Sequence, residues 1–333
     1  SDILINNPSK SHPLAECFFS HSKNSEPVRL MPLHLRKFRH ALATVLFSIG
    51  LYQPAIASEP QSITWAVYDM APSYFVPRTP DYKNLGDGIG DNLLKLLIEA
   101  LPEYDHKFSL MTMPRVMIEM QANKPLCVLN VQLTPERAQV AYSTPLLITP
   151  GPELVLRRQL LSQHPQWKNG VSLAALSHDP TLNGQYQAGR SFGEKLDEIV
   201  KSATNFNLKL NGSASAINAL RMIDLGRSDY TIEYPQLVKL GIEKRELSDN
   251  VTTVPILDAN PFVDSYVLCT RSDWGLSTMR RIDAELRRLA SKPEYRHALE
   301  KWLQKDELQV HKNEYERFYR TRAKTFFCDP TCP

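Results

Sequence analysis

Several features that would settle a function at once are missing from this chain. It has no Gly-rich loop followed by Lys and no His-x-x-x-His. Phosphoryl transfer and zinc hydrolysis therefore lack support. The one Gly-rich stretch, "GDGIGD" (86–91), lacks the third glycine of a dinucleotide fingerprint, so a turn or a close backbone approach is explanation enough. Charge of one sign is not in excess: 39 Lys and Arg against 36 Asp and Glu leave a net +3. There is no basic stripe with interleaved aromatics, which argues against a nucleic-acid binder. His164, His178 and His297 stand in polar company and read as surface residues.

Long apolar runs are also missing. The eleven residues "ALATVLFSIGL" (41–51) are too few to span a bilayer, and no later segment does better. What surrounds this run is informative. Arg36, Lys37 and Arg39 precede it, and Ala55 and Ala57 in "QPAIAS" follow it as a small-x-small site. That order is the pattern of an export signal. Residues 31–57 are expected to be a cleavable signal peptide, with the mature chain beginning at Ser58 in the periplasm. Residues 1–30 then read as an upstream segment from a start assigned too early. No Cys follows the cleavage site directly, so nothing suggests a lipid anchor.

Cysteine is scarce, with five in 333 residues. Export would remove Cys17 and leave Cys127, Cys269, Cys328 and Cys332, an even number suited to an oxidising compartment. Cys328 and Cys332 in "CDPTCP" lack a second pair of soft ligands nearby, so a local disulfide is expected over a zinc site. Cys127 and Cys269 sit in the apolar runs "LCVLNV" and "SYVLCT". They read either as free buried thiols or as a pair joining two strands of one lobe.

The rest of the mature chain alternates strand-like and helix-like segments. "SITWAVYDM", "KFSLMTM" and "LCVLNV" are strands, separated by a helix with Leu93, Leu94, Leu97, Ile98 and Leu101 at helical spacing and by "PRVMIEMQAN". The rhythm recurs in "GPELVLRR", "SFGEKLDEIVKSA", "LKLNG", "SASAINALRMIDLG" and "SDYTIEY", without a sequence repeat. Two helices and a charged tail follow "DSYVLCT". The fold class is α/β, with two lobes.

One stretch stands apart: "TPERAQVAYSTPL" (134–146). Thr134 and Pro135 suit a helix start and Glu136 favours its dipole. Arg137 gains nothing from that dipole. It is either a solvated surface charge or a planar anion clamp beside free backbone N–H groups.

In this order the segments resemble the extracellular solute-binding proteins of family 3, the periplasmic receptors that feed polar amino-acid ABC importers. The similarity covers most of Thr64 to Leu303. It rests on "TPERAQVAYSTPL", on "GIGDNLLKLLIEAL", on "GRSFGEKLDEI" and on "ALRMIDLGRSDYTIEYP". "YDMAPSYF", "CVLNVQLTPER" and "IEYP" are similar to a proteobacterial branch of that family. The resemblance implies a periplasmic binding protein-like type II fold, two α/β lobes joined by two hinge strands. Lobe 1 would be residues 58–152 plus 264–333, and lobe 2 residues 153–263.

It further implies a monomer that encloses a small polar, carboxylate-bearing ligand for an ABC permease, with no catalysis, cofactor or metal. A sensing module for a membrane receptor and a secreted dehydratase-like enzyme are the alternatives on the same fold. By resemblance Arg137 and Thr134 grip the ligand carboxylate, and Arg190 and Ser191 add donors from the other lobe. Tyr68 and Tyr74 stand near the family's stacking aromatic, and Asp69 and Glu233 supply cleft carboxylates. Where the family has an Asp for the ligand ammonium, this chain has Glu233 followed by Tyr234. That departure puts a standard amino-acid ligand in question, while an anionic group at Arg137 is still expected.

Overall fold

Short apolar segments cut by Pro, Gly and polar caps dictate the path of the chain. The computed structural model describes residues 61–75, 85–210, 216–303 and 305–325. The expected signal peptide and upstream segment, with Cys328 and Cys332, lie outside the described residues. Strand β1 (Ser62–Val67) is followed by α1 (Ile89–Ala100), β2 (Asp105–Leu110), α2 (Met113–Gln121), β3 (Leu126–Val131), α3 (Pro135–Val140) and β4 (Ala141–Pro150). Next come β5 (Glu153–Arg157), α4 (Arg158–Gln163), α5 (Leu173–Leu176), β6 (Gln185–Gln187), α6 (Glu194–Ser202) and β7 (Leu208–Leu210). Then α7 (Ala216–Asp224), β8 (Tyr230–Glu233), α8 (Pro235–Glu243) and β9 (Val251–Pro255) complete the second half. The chain returns as β10 (Phe262–Thr270) and continues through α9 (Asp273–Leu289), α10 (Pro293–Glu300), α11 (Lys305–Val310) and α12 (Lys312–Arg322).

The alternating rhythm resolves into two sheets of the same design. The first has the order β2-β1-β3-β10-β4, with β10 antiparallel to its neighbours. In the second lobe β8-β5-β9 form one sheet, with β5 antiparallel to both partners. The parallel pair β6 and β7 joins β8 through a parallel bridge between Gly184 and Tyr230. The resulting order, β7-β6-β8-β5-β9, repeats that of the first lobe strand for strand. Recurrence in structure without recurrence in sequence follows from burial, because any Val, Ile or Leu on the right face will do.

Each lobe closes over its own core. Trp65, Leu93, Leu94, Leu97, Met279, Ile282 and Leu286 pack on one face of the first sheet, and Val67, Val116, Met120 and Leu126 on the other. In the second lobe Leu154, Leu156, Leu173 and Tyr230 oppose a smaller cluster around Val155, Leu220 and Leu237. Cys127 and Cys269 face each other on β3 and β10 and form a fully buried disulfide across 142 residues of chain. Pairing, not free thiols, is the outcome for these two. No helix among the described residues is long and apolar enough to cross a membrane.

The residues after α10, expected as a charged tail, are helical instead. Tyr315, Tyr319 and Arg322 lie on one face of α12 and are all buried. Arg322 donates to Asp283 of α9 at 2.9 Å, and Thr144 of β4 donates to the same oxygen at 2.8 Å. A stripe of two tyrosines and an arginine among many charges has almost no hydropathic contrast, which is why periodicity does not reveal it.

The lobes are connected where β4 passes into β5 and β9 returns to β10. The two crossings touch: Gly151 N donates to Pro261 O at 2.9 Å, and a Cβ on Gly151 would lie 2.2 Å from Asn260 O. Only glycine permits that approach. Gly151→Ala is expected to cost ~1–3 kcal/mol by forcing the crossings apart, measured by urea unfolding; a change within about half a kcal/mol, the usual surface value, contradicts this. Replacing Cys127 and Cys269 together by Ala is expected to cost ~2–5 kcal/mol. Equal midpoints for the oxidised, reduced and doubly substituted chains would show the disulfide to be idle.

Candidate functional site

The mouth of the site is made where strand ends and loops of both lobes converge. From the first lobe come residues 68–73 after β1, Asn130 at the end of β3, and the turn into α3. From the second come residues 187–191 ahead of α6, and Glu233 and Tyr234 at the end of β8. They enclose a cavity of about 480 Å³. A second cavity of about 600 Å³ adjoins it, and Arg137, Gly189, Arg190, Ser191 and Glu233 line both.

Arg137 owes its place to the helix start. Thr134 caps α3, its hydroxyl accepting from Arg137 N at 3.2 Å, and Pro135 supplies the first helical residue. The guanidinium then turns inward, donating to Gln132 O at 2.5 Å and across the cleft to Gly189 O at 3.1 Å. It is only 7 % exposed, so the surface-charge reading of Arg137 is wrong. Burial lowers its pKa from the ordinary value, opposed by the negative charges that Tyr68 and Asp197 can carry. Among the described residues, no carboxylate pairs directly with it.

Arg190 is placed differently. Its Nη2 donates to Glu233 Oε1 at 2.5 Å, and its Nη1 lies 2.6 Å from Met70 Sδ in the other lobe. The guanidinium also stands 5.0 Å from the centre of the Phe192 ring. Glu233 Oε1 accepts a second bond from Tyr234 N at 2.9 Å, and this acid is buried. Ser191 Oγ donates to Asp197 at 2.5 Å, while Phe192 N donates to the other oxygen of Asp197 at 2.8 Å. Burial raises the Asp197 carboxyl above the usual range, against the pull of those two donors.

The floor is a small polar network. Tyr68 donates to Asn130 O at 2.6 Å, and Asn130 Nδ2 donates to Ser73 Oγ at 2.7 Å. Asn130 sits at φ 58°, the left-handed region that asparagine tolerates better than most residues. Burial pushes the Tyr68 phenol up to about 12. Asp69 is exposed at the cavity rim, and its carboxyl is raised first by partial burial and then by the charge of Glu246.

Of the residues singled out from sequence, Arg137, Arg190, Ser191, Glu233, Tyr68 and Asp69 line the 480 Å³ cavity, and Thr134 lines the neighbouring one. Tyr74 does not line either. It is fully buried, edge-on to Tyr68 at 5.0 Å, over Gly90, whose Cβ would lie 2.5 Å from its ring. The glycine of "GDGIGD" thus serves the packing of an aromatic. Residues the sequence did not flag also line the first cavity: Asn130, Ser73, Met113, Gln187 and Ser265. An asparagine closing the otherwise apolar run "LCVLN" was the only local signal for any of them.

No family model and no curated protein matches the sequence. Solved structures do. An ancestral arginine-binding protein bound to arginine is similar at 16% identity, with a TM-score of 0.56 over 74% of this chain and 99% of that one. An amino-acid ABC transporter substrate-binding protein of Streptococcus pneumoniae, bound to L-arginine, is 18% identical, with a TM-score of 0.56 over 74% of this chain and 96% of that one. A histidine kinase sensor domain with similarity to periplasmic binding proteins is 14% identical, with a TM-score of 0.56 over 73% and 96%. What is shared at such identities is the fold, and this chain has the type II arrangement of periplasmic binding proteins: two α/β lobes joined by two strand crossings.

Proposed function

We propose that this chain is an exported solute-binding protein that captures a small carboxylate-bearing ligand between its lobes. One observation carries the reading. Arg137 is a buried cation on the wall of an interlobe cavity, with backbone carbonyls as its direct partners and, among the described residues, no carboxylate of its own. Buried charges are ordinarily paired. Two of its five N–H donors are used on carbonyls, which leaves a fork able to take both oxygens of an incoming anion. Thr134 holds that fork in place, and Arg190 and Ser191 add polar groups from the opposite lobe.

Residues 58–152 with 264–333 would form the lobe that carries Arg137, and residues 153–263 the lobe that closes on it. Delivery of the ligand to an ABC permease in the periplasm, by a monomer of family 3 and its proteobacterial branch, is the setting we favour. The likeness to binding proteins of amino-acid importers supports it. A sensory role is the second reading, supported by the likeness to a kinase sensor domain. Binding rather than catalysis is favoured by the likeness to substrate-binding proteins.

The test is thermal-shift screening of the chain from Ser58 against small carboxylates, followed by calorimetry on substituted forms. Arg137→Ala is expected to lower the affinity of the strongest binder by ~2–5 kcal/mol, a tenfold loss for each ~1.4 kcal/mol. Arg137→Lys is expected to fail nearly as badly, because a point charge cannot match the two-pronged geometry. Unchanged affinity in both variants would remove Arg137 from the site and this function with it.

A further inference from the structure

The charges inside the cavity constrain its guest further. We propose that the site takes a carboxylate that carries no ammonium group, a desamino acid with an apolar body, in preference to a zwitterionic amino acid. This deepens the function proposed above and rests on Arg137 as the anion anchor.

An ammonium needs a buried acid whose charge is not already answered, and among the described residues lining the cavity the buried acid is ion-paired. Glu233 is the buried acid on its wall, and its Oε1 already accepts from Arg190 at 2.5 Å and from Tyr234 N at 2.9 Å. The two side chains are 10 % and 7 % exposed, so the pair is shielded from water. Arg190 is not free to swing aside, because Met70 and the Phe192 ring hold its guanidinium from two further directions. Displacing it would strand a second cation in the cleft. Asp197 has both oxygens engaged, by Ser191 and by Phe192 N. Glu136 is exposed, and Asp69 is exposed at the rim.

Arg190 and Glu233 balance each other and a guest carboxylate answers Arg137, so an ammonium on the same guest would be left as the unanswered cation of the cleft. Like charges in a cleft of low dielectric repel strongly. The carboxylate alone completes the balance, since it answers the one guanidinium without a direct acid partner. Beyond it much of the wall is apolar, with Met70, Met111, Met113, Val131 and Leu237 lining the cavity beside the polar Ser73, Asn130 and Ser265. An uncharged aliphatic or aromatic body suits those walls.

Matched pairs that differ only at the α-amine test this by calorimetry: 3-phenylpropanoate against phenylalanine, 4-methylpentanoate against leucine, and 4-(methylsulfanyl)butanoate against methionine. The desamino member is expected to bind at least about tenfold more tightly in any pair that binds. Equal or tighter binding of the amino acid overturns the inference, and so does failure of every desamino member to bind. Arg137→Ala separates this from the proposed function. If an amino acid binds and Arg137→Ala abolishes its binding, the anion site stands and only the claim about ammonium falls. If Arg137→Ala leaves binding unchanged, the proposed site itself is wrong. Arg190→Met, checked for native circular dichroism, releases Glu233 and is expected to shift preference toward the amino acid by about tenfold; an unaltered preference in the folded variant contradicts the account.

Discussion

A guanidinium held in a cleft between two lobes is the constraint around which this site is arranged. Arg137 is fixed at its backbone by the Thr134 cap, and at its head by one carbonyl from each lobe, Gln132 O and Gly189 O. Each of those bonds is modest in net terms, but a buried charge that loses its partners is costly. The lobes are therefore coupled through a cation whose partners are only dipoles. A carboxylate would satisfy the same donors better than a carbonyl does, because an ionised acceptor makes the stronger bond. A ligand held at Arg137 would shift the relation between the lobes by its differential affinity for the closed arrangement.

The rest of the architecture keeps that arginine in position. The first sheet is locked between β3 and β10 by Cys127 and Cys269, on the lobe that supplies Arg137. Only two crossings join the lobes, and they run so close at Gly151 that no side chain fits between them. Across the cleft, Arg190 and Glu233 form a pair within the second lobe, while Met70 of the first lobe touches Arg190. That pair answers the charge of the acid on which a zwitterion would depend. On the proposal made above, specificity would come as much from what the cavity withholds as from what it offers.

The sequence exposed the parts of this design that rest on local chemistry. Leucines at helical spacing placed α1, and a Thr-Pro step placed the start of α3 with Arg137 in its first turn. Periodicity did not reveal α12, because its buried face is two tyrosines and an arginine in a charged segment. Tyr74 was expected near a ligand because it lies close in the chain to the position of the family's stacking aromatic. The turn between Met70 and Tyr74 instead sends it into the core. Glu233 was expected as a cleft carboxylate, in departure from the family's Asp, and its partner Arg190 stands 43 residues away. Pairings at that separation belong to the fold, and no local pattern announces them.

The central claim is that Arg137 receives a carboxylate inside the interlobe cavity. A crystal structure of the chain from Ser58 with 3-(4-bromophenyl)propanoate tests it most directly, since anomalous scattering fixes the bromine independently of the refined pose. The account predicts both carboxylate oxygens at about 2.7–2.9 Å from the Arg137 nitrogens, with the bromine among Met111, Met113 and Leu237. A bromine peak outside the cavity, or a carboxylate held elsewhere while Arg137 keeps only its carbonyl partners, would contradict it.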